Sequence, residues 1–264
     1  GGSNKKGTAP SQKRDNGGVL FGADTMIDPD TYLGAFGGWD RGEIYTNTEF
    51  SDSDVDSWHA GLYASRFLTS DIRLSGGVTG TYQDVETTRH VTFTGFDETA
   101  HGKTKGYGAS AFIETGYIIN LPQWAVEPFA GLDIMYSSLN SYRETGGGAA
   151  NLDVDGISQV TPGHTIGVKI GRHIQVGEND INLRARLGWN HKYGDLSTNS
   201  TMRFEQGATP FTVYGQETAR DSAVIGTGID FSLTSGASAY VDYDGSLSRD
   251  DRNHGVTLGV KIPF

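Results

Sequence analysis

Cysteine is absent from all 264 residues. That excludes disulfide frameworks, thiolate zinc sites and cysteine nucleophiles. It suits a protein that crosses an oxidising periplasm, although many cytosolic proteins share the absence. The chain also lacks any run of the roughly 18 to 20 apolar residues that a membrane helix needs. Its mean hydropathy is negative, which leaves transmembrane strands open, because a membrane barrel turns half of each strand toward a polar lumen. Positive charge is scarce, and the net charge of −11 argues against a nucleic-acid partner. Proline is sparse, at 7 residues, beside 38 glycines. This length allows one large all-β domain or two ordinary ones. A signal peptide is missing. Gly1, Gly2 and Ser3 read as a cloning scar, so any targeting segment is expected upstream.

Catalytic and metal motifs are missing too. No Gly-x-Ser-x-Gly elbow occurs. His59, His90, His101, His164, His173, His191 and His254 lack the i, i+4 spacing of a helical zinc site and read as solvated or interfacial. Asp242, Asp244 and Asp251 lack the spaced acidic and glycine pattern of a calcium loop. No cofactor and no metal is expected.

What is present is alternation. Residues 255–264 (GVTLGVKIPF) place Val256, Leu258, Val260, Ile262 and Phe264 on one face of a strand. An outer-membrane barrel ends in such a strand, with an aromatic at the bilayer interface, and a soluble edge strand could look the same. The rest of the chain separates the two readings. Residues 1–16 are a scar followed by a polar linker or loop. From residue 17, strand-like segments of about 10 to 15 residues recur, joined alternately by short turns and long polar stretches such as 47–56, 84–104 and 194–221. Short turns at one end and long loops at the other mark an up-and-down outer-membrane barrel. Greek-key crossings in a soluble sandwich would not alternate so regularly. The segments also exceed the usual five or six residues of soluble strands.

Charge falls on one face of these strands. With Phe264 outward, Val241, Tyr243, Ile225, Ile229, Leu183, Leu187, Trp189, Leu132, Ile134, Ile113 and Tyr117 also face out. The other face carries Glu114, Glu127, Asp133, Lys169, Arg184, Arg186, Lys192, Asp230, Asp242, Asp244 and Lys261, predicted to line a lumen. A soluble barrel would invert this, with apolar residues inside. Strand length and loop asymmetry favour lipid outside. Trp39, Trp58, Trp124 and Trp189 then suit aromatic girdles, with Trp124 at the periplasmic level.

Nine short stretches resemble, in order, the translocator domain of autotransporters, the type V secretion proteins of Gram-negative bacteria. They are residues 21–24 (FGAD), 33–38 (LGAFGG), 61–65 (GLYAS), 114–117 (ETGY), 126–132 (VEPFAGL), 166–171 (IGVKIG), 187–191 (LGWNH), 226–231 (GTGIDF) and 256–264 (VTLGVKIPF). The resemblance covers residues 17–264 and implies one barrel domain there. It implies an all-β, antiparallel, transmembrane barrel of twelve strands in the outer membrane, crossed by a pore helix. The barrel would secrete or anchor an N-terminal passenger, without catalysis of its own. Implied partners are lipid, the barrel-assembly machinery, which would read Phe264 as an assembly signal, and the chain's own passenger and pore helix.

About eleven strands are visible, and the family's first strand is not apparent before residue 17. Eleven strands would leave two parallel neighbours at the seam. Some family members cut their passenger with acidic and Asn side chains in the lumen. The helix bearing such a site is not in this chain, so no catalytic residue is assigned. A passive porin-like channel selective by lumen charge is the alternative, and an outer-membrane hydrolase ranks last.

Overall fold

The computed structural model describes residues 2–3, 12–46, 51–177, 179–205, 207, 209–215, 218–232, 236–249 and 251–263. Eleven long strands dominate it: β1 (Gln12–Asp28), β2 (Thr31–Thr46), β3 (Ser51–Phe67), β4 (Ile72–Phe93), β5 (Phe96–Tyr117), β6 (Ala125–Leu139), β7 (Ile157–Val176), β8 (Asn179–Lys192), β9 (Asp221–Ser232), β10 (Ser238–Leu247) and β11 (Asp251–Lys261). Each pairs antiparallel with the next in sequence. The architecture is therefore an up-and-down meander.

β1 and β11 run the same way and do not pair with each other. Between them lies the two-residue strand Gly2–Ser3, antiparallel to both: Gly2 opposes Arg252 on one side and Lys13 on the other. The ring thus has a twelfth strand position, which among the described residues is filled near Lys13 and Arg252. Further along, the outer edges of β1 and β11 have no strand neighbour among the described residues. Phe21 and Leu258 are 71% and 73% exposed there.

Two sequence boundaries move. β1 starts at Gln12, five residues ahead of the periodic segment, because Lys13 to Asn16 continue the pairing register onto Tyr45 to Gly42. The polar stretches 51–56 and 84–104 are strand as well. Beyond the bilayer both faces of a strand meet water. Apolar alternation then fades while the backbone ladder continues. β4 and β5 have 22 residues each, roughly 70 Å at about 3.3 Å per residue, far more than a tilted crossing of ~30 Å of hydrocarbon requires. In a membrane barrel their hairpin would stand well outside the bilayer; it turns at Gly95, whose φ of 82° suits glycine.

Four short strands form a second sheet at this long-loop end, in spatial order Phe211–Tyr214, Asn199–Phe204, Leu152–Val154 and Tyr142–Arg143. Ala150, Leu152, Val154 and Leu196 are buried here, with Ala100 of β5. The only other buried apolar side chain among the described residues is Phe129. Large apolar groups on the long strands are instead exposed, including Leu62, Leu132 and Leu187. A soluble barrel would bury them. In an outer-membrane barrel they meet lipid.

Candidate functional site

Which face is concave follows from side chains that meet across an intervening strand. Next-nearest strands lie nearly 10 Å apart, at about 4.8 Å per step, so their side chains converge only inside the curve. Arg73 on β4 reaches Glu127 on β6, with an amino group 2.7 Å from each carboxylate oxygen. Lys169 on β7 bonds Glu114 on β5 and stands 3.7 Å from Glu127. Arg186 on β8 spans two strands to Glu114 at 3.2 Å. The Phe129 ring lies beneath this group, 4.9 Å from Lys169 Nζ and 4.5 Å from the Arg186 guanidinium carbon.

A second group joins β8 to β11. Arg184 contacts Asp230 at 2.9 Å and Asp242 at 2.9 Å, and Lys261 stands 3.9 Å from Asp230. Glycines in the intervening strands make these crossings possible. A Cβ on Gly116 would collide with the Glu127 carboxylate, and one on Gly228 would collide with that of Asp242. Of the other residues singled out from sequence, Asp133, Lys192 and Asp244 share this face through the pairs Asp133–Gly163, Lys192–Gly163 and Asp244–Gly226. They form no ion pair among the described residues. Phe264 lies outside the described residues.

Sequence reading missed several members of this face. Arg73 is one. The row Asp40, His59 and Thr81 is another: His59 bridges three strands, bonding Asp40 through Nε2 and lying 3.0 Å from Thr81 Oγ1 through Nδ1. Tyr63 donates to Asp24 at 2.7 Å. The signal was present, since each alternates with an outward apolar or aromatic neighbour: Leu74, Trp39, Trp58, Tyr82 and Leu62.

Toward the long-loop end the concave face opens into a cavity of about 1050 Å³, walled by Asn16, Val55, Gln83, Ser137, Gln159 and Asp244 among others. Residues 195 and 197–199 also line it. Gln159 Nε2 donates to the Asp195 carbonyl at 2.8 Å. The Ser197 hydroxyl and backbone N–H both donate to the Asp195 carboxylate, holding its pKa below the ordinary value. The neighbouring loop is pinned by Glu144, whose buried carboxylate receives Arg89 and the Leu152 N–H.

The convex face carries an aromatic row. Trp39, Trp58, Tyr82 and Tyr107 are successive register partners on β2 to β5, with ring centroids 5.7 Å apart for Trp58–Tyr82 and 5.6 Å for Tyr82–Tyr107. One step further out the same face turns charged, with Arg41, Asp56, Asp84 and Lys105. An aromatic row followed by charge marks a membrane–water boundary. At the opposite end the Arg172 guanidinium covers Trp124 at 4.9 Å.

Comparison with known proteins agrees with this geometry. The family model of the autotransporter beta-domain matches residues 1–244. An extracellular serine protease of Serratia marcescens is 30% identical over 247 residues, covering 94% of this chain and 23% of that protein. Outer membrane protein B of Rickettsia prowazekii is 24% identical over 269 residues, covering 98% and 16%. The chain thus spans less than a quarter of the curated relatives it matches. Among solved structures, the translocator domain of autotransporter NalP from Neisseria meningitidis superposes with a TM-score of 0.80 at 18% identity, covering 100% of this chain and 85% of that one. The chain belongs to the autotransporter beta-domain family and is an outer-membrane translocator barrel of the Gram-negative type.

Proposed function

We propose that the concave face is the wall of a hydrated conduit that carries out, and then anchors, a passenger attached upstream of this chain. Glu114, Glu127, Asp133, Lys169, Arg184, Arg186, Lys192, Asp230, Asp242, Asp244 and Lys261 would line it. The observation that carries this reading is the set of ion pairs spanning whole strands on the concave face, as in Arg73–Glu127 and Arg186–Glu114. Pairing satisfies charges that would be costly to bury alone, and leaves a wall that binds no extended chain tightly. The upstream segment would supply the rest of the twelfth strand and a helix inside the barrel. The barrel-assembly machinery would engage β11, and the domain would contribute no catalysis.

Single cysteines test the wall. In intact cells, Ser137→Cys and Asp244→Cys should react with a small water-soluble thiol reagent, and Val241→Cys on the convex face should not. Occupation of the barrel by the upstream segment should slow the first two. Equal labelling of all three positions would overturn the reading. Large, steady ion conductance by the full-length chain in planar bilayers would favour a porin-like channel instead.

A further inference from the structure

At the long-loop end of β7 and β8, on the convex face, the geometry points to a two-histidine site for a borderline divalent metal ion such as Cu²⁺, Ni²⁺ or Zn²⁺. His164 and His191 are direct register partners on adjacent antiparallel strands, so both side chains project from the same face. Their ring centroids lie 5.6 Å apart with the planes at 39°. Two imidazoles on one tetrahedral ion at ~2.0–2.1 Å per bond would hold their centroids roughly 5 Å apart. The observed separation is close to that value.

The hydrogen bonds around the rings are those a metal site uses. His191 Nδ1 lies 2.7 Å from the Asp221 carboxylate, and His164 Nδ1 lies 2.8 Å from the Tyr193 hydroxyl. The Asp221 carboxylate can only accept, so His191 donates through Nδ1–H and keeps its Nε2 lone pair for a metal. The Tyr193 hydroxyl can accept from Nδ1–H of His164, the tautomer that a metal at Nε2 would select. A carboxylate behind the far nitrogen also raises ligand basicity, the usual orienting arrangement for metal-bound histidine. Asp221 is itself held by the indole N–H of Trp189 at 3.0 Å. No group of three or more His, Asp or Glu forms a metal cluster among the described residues. The remaining coordination positions would be taken by water, and the ligand type selects Cu²⁺ over Ni²⁺ and Zn²⁺, with Mg²⁺ and Ca²⁺ excluded. A bound ion would fasten β7 to β8 at the rim of the membrane.

Trp189 is a built-in reporter, with its ring 5.2 Å from His164 and 5.6 Å from His191. The full-length chain, folded in detergent, is titrated with Cu²⁺, and the Trp189 signal is isolated by subtracting the Trp189→Phe variant. Saturable quenching is expected, together with an electron paramagnetic resonance spectrum split by two nitrogens. His164→Asn and His191→Asn should each abolish the two-nitrogen spectrum, and Asp221→Asn should weaken binding 10- to 100-fold. Heat-modifiable migration on gels reports that each variant is folded. Quenching that survives both histidine variants, an equal response to Mg²⁺, or a spectrum with one nitrogen or none would overturn the site.

Discussion

One amino group of Arg73 sits 2.7 Å from both carboxylate oxygens of Glu127, two strands away. The Glu127 side chain is only 11% exposed, and its second cation, Lys169, stands at 3.7 Å. The two ends of this contact are therefore unequal. Glu127→Ala leaves Arg73 without a counter-ion, facing a Lys169 that keeps only Glu114. Its expected cost is about 3 to 5 kcal/mol, the range for breaking a buried pair. Arg73→Ala leaves Glu127 with Lys169, and about 1 to 2 kcal/mol is expected. Denaturant unfolding of the refolded barrel in detergent measures both. A larger loss for Arg73→Ala would mean that Lys169 does not share the carboxylate.

Much of this wall was legible because alternation survives wherever lipid touches the convex face. Lys169 and Arg186 each sit between outward apolar residues, Glu114 follows outward Ile113, and all three could be placed from sequence alone. Arg73 escaped notice, although Ile72 and Leu74 flank it. The partners of Glu127 were not legible either, because pairing across a strand depends on curvature and on which intervening residue is glycine. Legibility failed outside the bilayer. There β3, β4 and β5 continue through polar residues such as Asp52, Asp54 and Glu86, which carry no periodic signal once both faces are wet. The Gly2–Ser3 pairing was equally invisible, since two residues hold no pattern.

The convex face can be tested by depth. Leu258 is 73% exposed near the middle of the last stretch and opposes Val241. Leu258→Arg should cost about 2 to 4 kcal/mol, the midplane value, and Val260→Arg, nearer the short-turn end, less. Lys261→Ala removes a 3.9 Å contact to Asp230 and a 5.2 Å contact to the Tyr240 ring, both made by an exposed side chain, and should be mild. Folding yields in outer membranes that rank Lys261→Ala worst would show that the faces are reversed.

The last strand also bears on assembly. If the insertion machinery reads the aromatic terminus, deleting Phe264 should lower the amount of heat-modifiable, protease-resistant barrel in the outer membrane. Wild-type levels in the deletion strain would leave Phe264 without that role.

The seam makes a separate prediction. An unpaired N–H or C=O in hydrocarbon costs several kcal/mol, and among the described residues β1 and β11 have no strand neighbour on these edges below Lys13 and Arg252. Direct closure would be parallel and would leave no room for an upstream strand. Ala23→Cys with Leu258→Cys or Val260→Cys, all on the convex face, should therefore not form a disulfide within this chain, because Cα atoms separated by more than ~7 Å cannot be bridged. In the full-length protein each introduced cysteine should crosslink to a third strand. An efficient disulfide in the isolated monomer of the Ala23→Cys, Leu258→Cys double variant would establish an eleven-stranded ring.

The glycine crossing under Arg184 and Asp242 is the most direct test that pairing across strands shapes this wall. Gly228 lies between them on β9, and a Cβ there would strike Asp242 Oδ1 and come within 3.1 Å of the Arg184 amino group. Replacing a strand glycine with alanine would otherwise stabilise the fold by about 0.4 to 1 kcal/mol through the unfolded chain. Loss of a charged hydrogen bond costs about 1.5 to 3 kcal/mol, discounted here because the two side chains are 49% and 28% exposed. The balance should leave Gly228→Ala destabilised by roughly 1 kcal/mol. Gly226, on the same face, is the control: its Cβ would meet Asp244 at 3.0 Å without interrupting an ion pair, so Gly226→Ala should be close to neutral. In an Asp242→Asn background the penalty at Gly228 should shrink, giving a coupling energy of about 0.5 to 3 kcal/mol in a double-mutant cycle. Additive losses in that cycle would mean that Gly228 is required for backbone reasons unrelated to the Arg184–Asp242 pair.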